Sequence, residues 1–269
     1  MIRNPAVAGQ FYPGSTNALL REVESLIDSK AKKIDALGAV SPHAGYMYSG
    51  SVAGSVFSRL APKKTYIIMG PNHTGLGERF GLDTNQSWKT PLGTVQIDRP
   101  LADEIKKFTH LVKDDNLSHI HEHSVEVQIP FLQVLQEKFT FVPITVSYAT
   151  LDAYREVGAG IAKAVRSLGV EKDITIIAST DMTHYEPQET AKKKDTSAIE
   201  AILALDEKML VDRVSEYDIT MCGYAPTAIM LTAVKELGAK HAKLIKYQTS
   251  GDTSGDYSSV VGYAGIVIE

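Results

Sequence analysis

The chain has 269 residues, 43% of them apolar and 22% charged, with a formal net charge of −4. That apolar content can build a full core, and no apolar run approaches the length of a membrane span. The charges are mixed in sign and form no basic stripe, so nothing points to nucleic acid as a partner.

In chain order, Met1-Ile-Arg-Asn-Pro lacks the apolar stretch of a signal peptide, and a cytoplasmic protein is expected. Residues 1–14 are broken by Pro5, Gly9, Pro13 and Gly14. Ser15-Thr16 can cap a helix over 17–28, with Leu19, Leu20, Val23, Leu26 and Ile27 on one face. Residues 36–40 read as a short buried strand that ends in Ser41-Pro-His43-Ala-Gly-Tyr46. A helix over 49–60, rich in small residues, leads to a second buried strand over 65–69, which stops at Gly70-Pro-Asn-His73. Residues 75–98 are loop-rich until 94–98, which alternates like a half-exposed strand, and Pro100 opens a helix to about Phe108. The period-two run His119, His121, His123 suits an extended segment, with His119 and His121 in a solvated loop. A helix is expected to start near His123 and to carry Pro130 in its first turns.

The run 139–146 is another apolar strand, and Pro143 suggests an edge or a bulge. A helix over 152–168 ends at Gly169, and the strand 173–179 ends in Thr180-Asp181-Met-Thr-His184-Tyr185. Helices follow over 187–205 and 206–215, then Met221-Cys222-Gly223 and a further helix to Leu237. The strands 242–247 and 260–268 close the chain. There is no repeat and no low-complexity linker, so the alternation predicts one α/β domain over 1–269, with a central, mostly parallel sheet flanked by helices.

Three strands thus end in His43, His73 and the Asp181/His184 pair, and parallel topology puts these ends on one edge of the sheet. Two neutral imidazoles can ligate a divalent metal, with an anionic third ligand drawn from Cys222, Asp181 or Glu126. Cys222, the one cysteine, excludes an internal disulfide and sits at an expected helix N-terminus, where a thiol pKa falls. Asp181 and His184, three residues apart, can hydrogen-bond across a tight turn as a general base pair, and His123 and Glu126 face the same way on a helix start.

The segments Pro5-Ala-Val-Ala-Gly-Gln-Phe-Tyr-Pro13, Pro42-His-Ala-Gly-Tyr46, Tyr48-Ser-Gly50, Gly70-Pro-Asn-His73, His123-Ser-Val-Glu126, Ser179-Thr-Asp-Met-Thr-His184 and Met221-Cys-Gly223 together resemble the MEMO1 family. That family in turn resembles the class III extradiol ring-cleaving dioxygenases of the protocatechuate dioxygenase β-subunit type, α/β proteins that hold Fe(II) with two histidines and a glutamate. The resemblance implies His43 and His73 as imidazole ligands, Cys222 as the third ligand, and His184 as an acid/base residue beside Asp181. A thiolate in place of the dioxygenase carboxylate is softer and favours copper or zinc more than a carboxylate does. The expectation is therefore a mononuclear site for a divalent metal, Fe(II) first and Cu or Zn next, with redox or dioxygenase-like chemistry. His123, Glu126, Tyr46 and Tyr48 would line its pocket. A zinc-type hydrolase with Glu126 or Asp181 as base, and a non-catalytic protein that binds a peptide or small molecule in the same pocket, are the other readings. Homo-oligomer formation is compatible with all of them.

Overall fold

A computed structural model describes residues 1–269. In chain order the elements are β1 (Ile2–Arg3), α1 (Thr16–Leu26), β2 (Gly38–Ser41), α2 (Tyr46–Phe57), β3 (Thr65–Pro71), β4 (Phe80–Leu82), β5 (Ser87–Thr90), β6 (Gly93–Ile97), α3 (Arg99–Phe108) and β7 (Lys113–Asp114). There follow α4 (Ile129–Leu135), β8 (Thr140–Val146), α5 (Leu151–Leu168), β9 (Ile174–Ser179), β10 (His184–Glu186), α6 (Gln188–Leu203), α7 (Glu207–Glu216), α8 (Tyr224–Glu236), β11 (Ala242–Thr249), α9 (Gly251–Ser254) and β12 (Val260–Ile268).

The strands join one sheet in the order β1-β5-β6-β8-β3-β9-β2-β12-β10, with β11 on β12 and β4 between β7 and β8. The run β6, β8, β3, β9, β2 is parallel throughout, and β12 returns antiparallel to β2. Both faces are covered, which is why β3 is buried at all seven positions and reads as a continuous apolar run. Strand alternation divides the core in two. Ile67 and Met69 face a large apolar cluster with α3, α5, α6 and α8, whereas Tyr66 and Ile68 face a smaller one with α1, α2 and α4. No helix is long and apolar enough to cross a membrane.

Several elements depart from expectation for local reasons. Ser15 is at the N-cap of α1 but makes no side-chain cap bond, and Thr16 donates instead to the Pro91 carbonyl. Helix α2 starts at Tyr46, three residues early, behind Gly45. The helix expected from His123 is a 3-10 turn at Glu126–Gln128 that becomes α4 only at Ile129, with Pro130 in its first turn. Pro143 is in a strand paired on both sides. It faces Ile68 of β3, and on the outer side it falls in the gap between Thr140–Phe141, paired to β6, and Ile144–Val146, paired to β4. The missing N–H is therefore tolerated away from an edge. The loop-rich stretch 75–93 hides β4 and β5, too short to show a period.

A candidate metal centre at the strand ends

The sheet order β3-β9-β2 brings three carboxyl ends side by side. His43 follows β2, His73 follows β3, and Thr180-Asp181 follows β9 between them. Cys222 lies just before α8, whose N-cap is Gly223. A Cβ at Gly223 would come within 2.5 Å of the Ser179 carbonyl oxygen, so only glycine lets this loop close onto β9. One ligand atom each from His43, His73 and Cys222 lies within 4.8 Å of the others, and Cys222 Sγ is 3.3 Å from His43 Nε2.

Both imidazoles are tethered through Nδ1. His43 Nδ1 is 2.9 Å from Ser179 Oγ, and His73 Nδ1 is 2.9 Å from Glu122 Oε1. Each ring therefore has Nε2 left for a metal, the arrangement by which hydrogen-bonded histidines are oriented as ligands. Glu122 is buried and accepts from the His73, His123 and Ser124 amides as well as from the His73 ring. Burial opposes its charge, but the His73 hydrogen bond and the His73 and His123 charges hold it down to about 2. Burial likewise opposes protonation of His73, and Glu122 outweighs it and raises that pKa. His43 is buried, with His123 and His73 beside it, and its pKa falls well below the ordinary value, leaving the ring in the neutral form a metal requires.

The thiol does not behave as its position before a helix suggested. Burial first, then the charge of Asp181, push the Cys222 pKa well up, although the Asp181 amide donates to Sγ at 3.3 Å. Both effects favour the thiol, and a cation placed against Sγ would offset them and favour the thiolate.

His123 joins the cluster. Its ring stacks on His73 with centroids 4.7 Å apart and meets His43 edge-on at 5.4 Å, with Phe11 of the N-terminal segment behind it at 4.6 Å. Asp181 and His184 do not pair. A bend at Thr183 separates them, β10 starts only at His184, and each side chain bonds elsewhere. Asp181 Oδ1 instead accepts from the His43 amide at 2.8 Å, and burial pushes its carboxyl up to about 6. His184 Nδ1 is 2.9 Å from the Thr220 carbonyl, so Nδ1 carries the proton and Nε2 is left as an acceptor.

Glu126 and Tyr46 lie outside the cluster. Glu126 is fully buried and accepts from Arg3 Nη1 at 2.6 Å, the Ala6 and Val7 amides, and the Tyr12 hydroxyl at 2.6 Å. It fastens the N-terminal segment to the fold, and no oxygen is left for pocket chemistry. The Tyr46 hydroxyl donates to the Val127 carbonyl, and its ring packs on Phe131 at 4.8 Å. Tyr48 does line open space. It joins a cavity of about 390 Å³ with Phe11, Gly45 and Met47 to one of about 340 Å³ with Tyr185 and Tyr263. Two larger clefts, about 640 Å³ each, contain none of these residues. His119, expected in solvent, is buried and bonds the Gly81 carbonyl through Nε2 at 2.9 Å, while His121 is exposed.

Sequence reasoning missed Glu122, Ser179 and Gln128. Glu122 carried a signal, a carboxylate between His121 and His123, whereas Ser179 and Gln128 are neutral residues whose contacts only the packing reveals.

The fold and the strand-end cluster define an α/β protein with a mostly parallel sheet and a His/His/Cys group at its carboxyl edge. The chain matches the Memo-like protein family model over residues 3–267. It is 45% identical to a MEMO1 family protein of Methanopyrus kandleri, over 99% of both chains, and 47% identical to one of Methanococcoides burtonii, over 100% of both. A third, from Methanococcus maripaludis, is 45% identical over the full length of both. The chain belongs to the MEMO1 family. An uncharacterised Escherichia coli K12 protein of known crystal structure shares the fold, with a TM-score of 0.56 at 13% identity over 86% of this chain and 98% of that one.

Proposed function

We propose that the chain binds one divalent transition metal through His43 Nε2, His73 Nε2 and Cys222 Sγ, Fe(II) first, with copper or zinc as alternatives. The observation that supports this is the convergence of three donors, two of them imidazoles already tethered through Nδ1. The donor set suits the group: borderline nitrogen ligands and one soft sulfur fit iron, copper and zinc rather than magnesium or calcium. When bound, such an ion would supply redox chemistry with oxygen of the kind the related dioxygenases perform. The chain's own residues have narrower tasks. His184 Nε2, with Nδ1 fixed on Thr220, takes up and returns a proton. His123 and Phe11 wall the cluster, and Tyr48 bounds the adjoining cavities where a small molecule would lie.

The hydrolase reading loses one of its two bases, because Glu126 is spent on four donors, and keeps Asp181, of which only Oδ1 accepts, from the His43 amide. A non-catalytic reading keeps one observation in its favour. Tyr185 is 78% exposed beside the Tyr48 cavities, a surface an aromatic or peptide group would cover. Anaerobic purification followed by metal analysis separates the two. Wild-type protein should carry close to one equivalent of metal, and Cys222→Ser and His73→Ala much less. Metal-free wild-type protein that still captures a partner would support the binding reading instead.

A further inference from the structure

We propose that Ser179 is a positioning residue that fixes the tautomer of His43, so that the bare Nε2 faces Cys222 and the metal. The inference rests on the ligand set above. It follows from counting hydrogens along a buried chain of contacts. Gln128 Nε2 reaches both the Pro42 carbonyl at 2.9 Å and Ser179 Oγ at 2.8 Å. A carbonyl can only accept, so the Pro42 oxygen fixes which end of the Gln128 amide faces it. Turning the amide over would set Oε1 against the Pro42 oxygen, and the structure instead leaves the buried Oε1 without a partner.

Gln128 is therefore a donor to Ser179. The Ser179 hydroxyl lies 2.6 Å from the Ser124 carbonyl, again an acceptor only, so its single proton is committed there. A hydroxyl has one proton and two lone pairs. With the proton on Ser124 and one lone pair on Gln128, the only role left toward His43 is to accept. The 2.9 Å contact to His43 Nδ1 is thus an N–H donated to Ser179, and Nε2 carries the lone pair. The opposite tautomer would put two lone pairs against each other at Ser179, or strip the Ser124 carbonyl of its donor. Ser124, Gln128 and Ser179 are all fully buried, so water cannot substitute. The relay also ties the two ligand corners together. Ser124, whose hydroxyl donates to the Pro71 carbonyl, also donates its amide N–H to Glu122, the residue that holds His73, through the same loop.

Two-bond proton–nitrogen correlation spectra of the metal-free protein, taken at about pH 8 where a free imidazole is neutral, read the tautomer directly. Wild-type His43 should show a protonated Nδ1 and a bare Nε2. Ser179→Ala should lose that preference, and Gln128→Met should keep it, because the Ser179 proton stays on Ser124. Titration with Co²⁺ against a competing chelator, well below the variant's melting temperature, should show Ser179→Ala weaker by roughly 10- to 100-fold. The melting temperature itself should fall, because the buried Ser124 carbonyl and Gln128 amide lose their partner. Wild-type His43 protonated on Nε2 would overturn the inference. So would Ser179→Ala with both the wild-type tautomer and the wild-type Co²⁺ affinity. A wild-type protein that shows the Nδ1–H form yet takes up no Co²⁺ would sink the metal reading while leaving the tautomer assignment intact.

Discussion

Replacing Glu126 by glutamine separates a catalytic carboxylate from a structural one. Its two oxygens accept from Arg3, the amides of Ala6 and Val7, and the Tyr12 hydroxyl, and its side chain is 0% exposed. A glutamine keeps one acceptor and turns an amine toward one of the donor pairs. Arg3, itself buried and stacked over Trp88 at 3.9 Å, then has no anion. Breaking a buried ion pair from one side costs about 3–5 kcal/mol. At roughly 2–4 °C per kcal/mol for a chain of this size, the melting temperature should fall by about 6–20 °C. Urea unfolding with an unchanged m-value gives the free energy, and a Co²⁺ titration on the folded variant should remain within a few-fold of wild type. A melting temperature within about 2 °C of wild type, the range of an uneventful surface substitution, would refute the reasoning. A large loss of activity at unchanged stability would restore Glu126 as a base.

Gly223→Ala should destabilise by about 1–3 kcal/mol and weaken metal binding together, because its Cβ would meet the Ser179 carbonyl oxygen at 2.5 Å and Thr180 Cβ at 2.3 Å. Calorimetry and a metal titration check both, and wild-type values in either would count against the close approach. Gly70→Ala should behave alike, since Ser124 Cβ lies 2.7 Å from its added carbon. Glu207, buried between Arg155 and Lys235, has its pKa lowered: burial opposes the charge, but Lys235 leads the groups that outweigh it. A depressed carboxylate stabilises above its unfolded pKa of 4.5 and loses that contribution as pH falls through the folded value. Glu207→Gln should therefore be less stable than wild type near neutrality, and the gap should close below about pH 4. A gap that is constant with pH would contradict the pairing.

The strand-end corners were legible because chemistry and backbone coincide there. A buried apolar run that stops at proline and then presents a histidine can be read at His43 and His73 without coordinates. The Asp181–His184 contact was misread because a turn was assumed. Asp181 is instead engaged by the His43 amide and the His184 ring by the Thr220 carbonyl, partners 138 and 36 residues away that leave no local signal. Glu126 was misread for a related reason. Its partners Arg3, Ala6, Val7 and Tyr12 are more than 110 residues away, so nothing near it in sequence shows that its charge is already satisfied. Glu122 lay in plain view between two histidines, but only packing shows that it orients His73. Ser179 stands inside the Ser179–His184 motif, but its role depends on where one proton goes.

The ligand set itself is tested most directly by X-ray absorption at the zinc edge on protein loaded with one equivalent of Zn²⁺. The account predicts a shell with one sulfur near ~2.3 Å and imidazole nitrogens at ~2.0–2.1 Å. The sulfur should vanish in Cys222→Ser, and the imidazole scattering should fall in His73→Ala. A shell of nitrogen and oxygen alone in the wild-type protein would contradict it.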